Sequence, residues 1–238
     1  MTWLIIILPA LLAGFLQGLT GFGAVIMMMV FFPLILPIPA AAGIACVIMI
    51  ASQVVITWRY RDYFKFTRVF IPFVIYSAVS AAAVVFNDTI DTNLLRKVLG
   101  VLLVALAFYF YFCKTQQETT YPWYLVAIFL VVSGFFNGLL GIGGPLMALY
   151  FLSISENKAD YLGNIQGFFL LNALLLTAIR LNRGILVPAQ FPLIAVGLIA
   201  AISGTLLATR FSAKWNLEKV SRVVYIFIGV SGIYYLFF

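Results

Sequence analysis

The sequence contains no histidine and only two cysteines, and this absence excludes several kinds of site. Zinc and haem sites are built mainly from histidine and cysteine ligands, so neither group suits this chain. The cysteines, Cys46 and Cys113, lie within apolar segments and give no disulfide framework. We therefore expect no metal and no cofactor.

Charged residues are also scarce: they form 9% of the 238 residues, whereas 65% are hydrophobic. So few charges could not cover the surface of a soluble domain. None of the acidic residues lies in the middle of an apolar segment, so the carboxylate relay used by many proton-coupled carriers is missing. The clustered acids of an intramembrane enzyme are missing too, and we expect no catalytic residue and no enzymatic activity.

Long apolar runs fill the chain instead, and a helix that crosses a bilayer needs about 20 such residues. This pattern predicts an all-α integral membrane protein of a bacterial-type inner membrane, surrounded by the lipid bilayer. The net charge of +7 then comes from lysines and arginines beside the membrane spans, whose distribution indicates how the chain is oriented in the membrane. We therefore expect no nucleic-acid partner. The apolar segments cover residues 3–36, 40–58, 69–86, 94–112, 122–152, 161–179, 189–209 and 219–238.

A shift of 120 residues superposes the two halves of the chain, as when Gly14 falls on Gly134. Duplicated units of this kind are common in secondary transporters. We predict a first transmembrane repeat over residues 1–113, a linker at 114–121 and a second repeat over 122–238. The other matched pairs include Gly18 with Gly138, Gly21 with Gly141, Gly23 with Gly143, Gly43 with Gly163, and Pro72 with Pro192.

The first segment of each repeat is too long for one ordinary span, and glycines interrupt it within Gly18–Gly23 and Gly138–Gly144. It either folds back as a re-entrant hairpin or continues as one broken span. With two re-entrant hairpins, ten of the 14 lysines and arginines fall on one side of the membrane and four on the other. The positive-inside rule favours this asymmetry over the even split that eight crossings would give.

We therefore predict two inverted repeats, each with a glycine-broken, re-entrant first segment followed by three transmembrane helices. Three crossings per repeat would invert the second repeat relative to the first. Arg59 and Arg180 end equivalent segments, and we interpret both as anchors at the membrane interface. The loops predicted to be cytoplasmic, because they carry most of the positive charge, are 59–68, 114–121, 153–160 and 210–219.

The glycine interruptions are the best candidates for substrate contact. Backbone that leaves helical geometry at membrane depth must be buried in protein or line a wet cavity. Each interruption frees amide groups at the start of the next half-helix, near Gly21–Ala24 and Gly141–Gly144, where the helix dipole leaves about half a positive charge. Inverted repeats would bring these two termini together, which predicts an anion site without a buried cation.

Polar residues within the apolar runs are a second source of substrate contacts. The alternative for such residues, and for Gly18 and Gly138 in small-xxx-small patterns, is helix packing. The candidate substrate-binding residues are Gln17, Gly18, Thr20, Gly21, Gly23, Gln53, Asn137, Gly138, Gly141, Gly143, Gly144, Pro145 and Asn172.

Two stretches of the sequence carry a family resemblance. GLTGFGAVIMMMVFFPLILP in the first half, and GLLGIGGPLMALYFL with the later FFLLNALLLTAIRLNRGIL in the second, resemble the sulfite exporter TauE/SafE family, also called the toluenesulfonate uptake permease family. The resemblance covers essentially the entire chain and implies an inner-membrane permease for sulfite, sulfonates or related small anions. The positions that match the family motifs are Gly18, Gly21, Gly23, Pro33, Gly138, Gly141, Gly143, Gly144, Pro145 and Asn172.

Together these features predict a secondary transporter that exports a small organic or sulfur-containing anion by alternating access. An inside-negative potential favours the exit of an anion by about 2.3 kcal/mol per charge per 100 mV, so export needs no coupled ion. A passive anion channel is the alternative, because it differs from a carrier only in its kinetics. A membrane scaffold or assembly protein is a further alternative, and assembly as a homo-oligomer is left open.

Overall fold

The structure, a computed structural model, describes residues 2–87, 90–112, 121–211 and 228–237. Over these residues the chain is helical and contains no strand. Seven of the helices are long and apolar enough to cross a membrane, so the chain is a multi-pass membrane protein. Most of the predicted linker 114–121, most of the loop 210–219 and the start of the segment 219–238 lie outside the described residues.

The helices follow the predicted apolar segments. The first half contains α1 (Thr2–Thr20), α2 (Ala24–Phe31), α3 (Ile38–Arg59), α4 (Phe66–Phe86) and α5 (Thr92–Phe112). The second half contains α6 (Trp123–Leu140), α7 (Gly144–Ile154), α8 (Lys158–Asn182), α9 (Phe191–Phe211) and α10 (Ile228–Phe237).

Both predicted interruptions are present, and both are shorter than the glycine-rich stretches that predicted them. α1 ends at Thr20 and α2 begins at Ala24, while α6 ends at Leu140 and α7 begins at Gly144. The φ angles of Gly21, Gly23 and Gly141 are +81°, +87° and +72°, in the left-handed region that favours glycine. Gly21 and Gly141 therefore follow the ends of α1 and α6, and Gly23 precedes α2, whereas Gly18 and Gly138 remain helical.

Each first-segment helix packs along a helix of the other half: α1 along α9, and α6 along α4. A Cβ atom added at Gly18 would lie 2.8 Å from the Cβ of Ala208, and one added at Gly138 would collide with the carbonyl group of Ser80. The absence of a side chain lets the paired helices approach this closely. The packing interpretation of Gly18 and Gly138 is therefore confirmed.

The most buried of the long helices, α3 and α8, pack against each other in opposite directions. A Cβ atom added at Gly43, near the start of α3, would lie 3.0 Å from the Leu186 side chain, just beyond the end of α8. One added at Gly163, near the start of α8, would lie 2.8 Å from the carbonyl oxygen of Tyr60, just beyond the end of α3. The contacts between the two halves are thus reciprocal.

A cluster of charged residues joins the start of α4 and the loop before it to the start of α8 and the loop before it. The Arg68 guanidinium lies 2.9 Å from a carboxylate oxygen of Asp160, and Lys65 Nζ lies 3.7 Å from the other oxygen. Arg68 also donates a hydrogen bond to the carbonyl oxygen of Ile154. Asp160 is 2% exposed, so this pairing satisfies a buried carboxylate and holds the two loops at the same end of the molecule.

We expect Arg68→Gln to lower the free energy of unfolding by about 2–3 kcal/mol, because it removes the nearest cation from the buried Asp160 carboxylate and leaves it with Lys65 and the N–H groups of Asn164 and Glu156. The midpoint of unfolding in detergent measures this change. The control is Arg61→Gln, since Arg61 pairs with Asp62 in an exposed position and its loss should cost less than about 1 kcal/mol. Equal losses of unfolding free energy in Arg68→Gln and Arg61→Gln would contradict the expectation that the buried ion pair stabilises the protein more than the exposed one.

Candidate functional site

The two interruptions lie side by side in the folded chain. A Cβ atom added at Gly144 would lie 3.2 Å from the Cβ atom of Phe22 and 3.6 Å from the backbone nitrogen of Gly23. One added at Gly141 would lie 3.0 Å from the side chain of Val25. The start of α7 and the start of α2 therefore meet, although about 120 residues separate them in the sequence.

A cavity of about 50 Å³ lies where the interruptions meet. Because a single water needs roughly 10–15 Å³ of such space, the cavity has room for a few waters or for one small oxyanion. Both halves of the chain contribute to its wall. The lining residues that carry polar side chains or glycine backbone are Gln17, Gly23, Gln53, Asn137, Gly141, Gly144 and Asn172, and those that close it with apolar groups include Phe22, Met49, Phe169 and Leu176.

The first turn of α2 presents backbone amide groups to this cavity. Ala24, Val25 and Ile26 all line it, and the first N–H groups of an α-helix have no acceptor within the helix. Gly23 precedes the helix, and no side chain caps it. The start of α7 contributes less, because Pro145 at its first turn has no N–H to offer.

Hydrogen bonds fix two of the polar side chains in the cavity wall. Asn137 Nδ2 donates to Asn172 Oδ1 over 2.9 Å, and Asn172 Nδ2 donates in turn to Ser77 Oγ on α4 over 2.9 Å. Asn137 also donates to Ser80 Oγ. This chain of bonds ties α6 and α8 to α4 and sets the position of both side-chain amides.

The other two polar side chains in the wall differ in how firmly they are held. Gln17 Nε2 donates to Gln166 Oε1 over 2.9 Å, and Gln166 Nε2 donates to the carbonyl oxygen of Gly21 over 2.6 Å. Gln53 is 6% exposed, and its Oε1 atom is buried without a hydrogen-bond partner. The Gln53 amide can therefore turn its N–H groups towards the cavity without breaking a bond of that oxygen.

Six of the thirteen candidate residues lie outside the cavity wall. Gly18 and Gly138 pack against neighbouring helices, as described above. The Thr20 hydroxyl donates to the carbonyl oxygens of Leu16 and Phe22 and so supports the turn itself. The other three also shape the interruptions: Gly21 accepts the bond from Gln166, Gly143 accepts one from Ser133, and Pro145 lies in the first turn of α7.

Sequence reasoning did not identify the residues of α8 that satisfy the broken ends of α1 and α6. The Tyr161 hydroxyl donates to the carbonyl oxygen of Thr20 over 3.0 Å. Arg180 Nη2 donates to the carbonyl oxygen of Gly138 over 3.1 Å and more weakly to that of Asn137. Arg180 is 2% exposed, so the interpretation of this residue as an interface anchor is wrong. Its position near the end of α8 suggested the membrane surface, whereas the end of α6 covers it.

The charge around the cavity suits an anion. Within residues 2–87, 90–112, 121–211 and 228–237, no acidic side chain lines the cavity, and no group of three or more histidine, cysteine or acidic residues could hold a metal ion. The start of α2 carries the positive end of a helix dipole. The site therefore combines backbone donors, side-chain amides and a positive potential.

We expect the Asn137–Asn172 hydrogen bond to contribute about 0.6–1.7 kcal/mol, the range measured for bonds between membrane helices. A double-mutant cycle with Asn137→Ala and Asn172→Ala, followed by unfolding in detergent, measures this coupling. The control pair is Gln53→Ala with Asn172→Ala, which shares the cavity but no hydrogen bond, and its coupling should be near zero. If the control pair showed a coupling energy as large as that of Asn137 and Asn172, both couplings would arise from the shared cavity and not from the hydrogen bond.

Comparison with known proteins identifies a family for the chain. Residues 6–235 match the family model described as Sulfite exporter TauE/SafE. No curated protein and no solved structure matches the chain. The match extends over nearly the whole chain, from α1 to α10, and includes both interruptions.

Proposed function

Because the chain belongs to the sulfite exporter TauE/SafE family, a family of membrane transporters, we propose that it is a secondary transporter for a small organic or sulfur-containing anion such as sulfite or a sulfonate. The observation that carries this proposal is the cavity where the starts of α2 and α7 meet. Two helices that start at one point direct their free amides and the positive ends of their dipoles at the same ligand. Discontinuous helices use the same arrangement to bind anionic groups in other secondary transporters.

In the proposed binding mode, backbone amides supply most of the hydrogen bonds to the anion and side chains supply the rest. The anion would accept hydrogen bonds from the amides of Ala24–Ile26, and Gly23 and Gly144 would let it approach the backbone closely. The side-chain amides of Asn137 and Gln53 would complete its coordination. The cavity volume of about 50 Å³ supports a small oxyanion head group.

We further propose that the broken segments are re-entrant. α6 runs in the same direction as α4, since Gly134 lies against Tyr76 and Gly138 lies against Ser80. α7 ends at Ile154, whose carbonyl oxygen accepts a hydrogen bond from Arg68 at the start of α4. This geometry supports a hairpin of α6 and α7 that starts and ends at the membrane surface where α4 starts.

The same arrangement, inverted, is proposed for α1 and α2. α1 runs in the same direction as α9, since Gly14 lies against Ala201 and Gly18 lies against Ala208. α9 starts at the surface where α8 ends, opposite to the charged cluster. Two opposed hairpins support the predicted repeats over residues 1–113 and 122–238, with the linker 114–121 between them. The excess of lysine and arginine supports placing the charged cluster on the cytoplasmic side of the inner membrane.

An exporter of this kind would alternate access to the cavity between the two surfaces. Gln17, Asn137 and Asn172 are each at most 7% exposed, whereas Gly23 and Gly144 in the same wall are partly exposed. This pattern supports a conformation in which the site is largely but not fully shut. A rearrangement of the hairpins against the α3–α8 pair would then open one side at a time. The membrane potential would drive the anion outwards.

Flux measurements on proteoliposomes test the proposed function. We expect saturable efflux of labelled sulfite or a sulfonate that other small anions compete for, whereas a channel would give flux that does not saturate. Ala173→Val should lower this flux about tenfold or more, because Ala173 lines the cavity and added methyl groups overpack it. The control is Ala178→Val on the exposed side of the same helix, which should transport normally. Absence of flux for every small anion would refute the proposal.

Cysteine labelling tests the re-entrant arrangement. In a chain without Cys46 and Cys113, we expect an impermeant thiol reagent to reach Tyr121→Cys and Lys158→Cys from the same side, because the α6–α7 hairpin lies between them. Val187→Cys should react only from the opposite side. Labelling of Tyr121→Cys together with Val187→Cys would instead mean that α6 and α7 form one broken span.

A further inference from the structure

Arg180 is a buried charge that the proposed binding mode does not use. It is among the largest fully buried side chains, at 2% exposure, and lies in the last turn of α8. Its Nη2 atom donates to the carbonyl oxygens of Gly138 and Asn137, while its Nη1 atom is buried without a hydrogen-bond partner. A guanidinium keeps its charge at any physiological pH. None of the ion pairs in the described part of the chain includes it.

Capping of α6 alone does not account for a charge at this position. The broken end of α1 presents the same kind of carbonyl groups, and neutral donors from α8 satisfy them: the Tyr161 hydroxyl at Thr20 and the Gln166 amide at Gly21. A neutral donor would serve the carbonyl group of Gly138 equally well. A buried charge without a counter-charge costs several kcal/mol more than such a donor.

The charge lies directly behind the wall of the cavity. Asn137, whose carbonyl oxygen faces the guanidinium, places its side chain in the cavity wall, and so does Leu176, one helical turn before Arg180. A Cβ atom added at Gly43, one helical turn before the cavity-lining Cys46 on α3, would lie 3.3 Å from Arg180 Cδ. Arg180 thus lies against residues of the cavity wall without lining the cavity itself.

We propose that Arg180 supplies the fixed positive charge of the anion site and makes it prefer doubly charged over singly charged anions. The C-terminal end of α6 carries about half a negative charge, which would repel an anion at the cavity. The guanidinium cancels this charge and leaves a net positive one, acting across a region of low dielectric. Arg180 is thus a positioning and selectivity residue of the same site, and this inference rests on the proposed function.

The test compares three ligands of similar shape and different charge on the purified protein. The ligands are sulfite at alkaline pH, where it is a dianion, methanesulfonate as a monoanion, and dimethyl sulfone as a neutral compound. Calorimetry gives the affinity of each ligand for wild type, Arg180→Gln, Arg180→Lys and the control Arg183→Gln. Arg183 lies in the same region and is exposed, so its variant makes the same change of charge outside the core.

We expect Arg180→Gln to lower the ratio of sulfite affinity to methanesulfonate affinity about tenfold or more. Arg180→Lys should also lower the ratio at the alkaline pH of the sulfite measurement, because a buried lysine without a counter-charge loses its proton there whereas a guanidinium does not, and Arg183→Gln should leave the ratio unchanged. A purely structural role would change the stability of the protein and leave this ratio as it is. An unchanged ratio in Arg180→Gln overturns the inference, even if transport persists.

Two further outcomes are interpreted without data from Arg180→Gln. If Arg180→Gln does not fold, the ligand series on the wild type decides: equal affinity for methanesulfonate and dimethyl sulfone overturns the inference, and stepwise tighter binding with charge supports it together with an unchanged ratio in Arg183→Gln. If the wild type binds no anion at all, the proposed function fails first. The two failures are therefore distinguishable.

Discussion

Backbone groups that a helix interruption releases inside a membrane must find partners within the protein. In this chain one helix meets most of that requirement, because α8 passes both interruptions. Its Tyr161 and Gln166 satisfy the end of α1, and its Arg180 satisfies the end of α6. The first amides of α2 belong to residues that line the cavity, Ala24, Val25 and Ile26. The same constraint thus determines which backbone groups are satisfied and underlies the proposed position of the ligand.

The close packing of the two halves follows from glycines that sit one helical turn before the interruptions. Gly18 and Gly138 let α1 and α6 approach α9 and α4, so each half holds the first segment of the other. A helix held in this way can end inside the protein without unravelling. The inner glycines, at positive φ, then turn the chain towards the cavity. Neighbouring glycines therefore have different physical roles: the outer ones allow helices to pack closely, and the inner ones allow the chain to turn.

The sequence allowed prediction of the apolar helices, both interruptions and the meeting of their polar neighbours, since these depend on local composition and on the repeat. The sequence did not reveal which of the glycines would line the cavity. Gly21 and Gly23 both adopt a positive φ, and only Gly23 lies in the cavity wall. Arg180 was also misplaced. The positive-inside rule assigns a cation near a helix end to the membrane surface, whereas the depth of this residue depends on α6, a helix distant in sequence.

The charged cluster around Asp160 has no counterpart in the other half, where the repeat places Ala40 at the equivalent position. Separating α4 from α8 at that end breaks two ion pairs to a buried carboxylate. Separating the mirrored pair, α3 and α9, breaks no ion pair among the described residues. The two halves of the chain therefore differ in electrostatic stabilisation although their helices pack alike, and the end that carries Asp160 costs more free energy to separate.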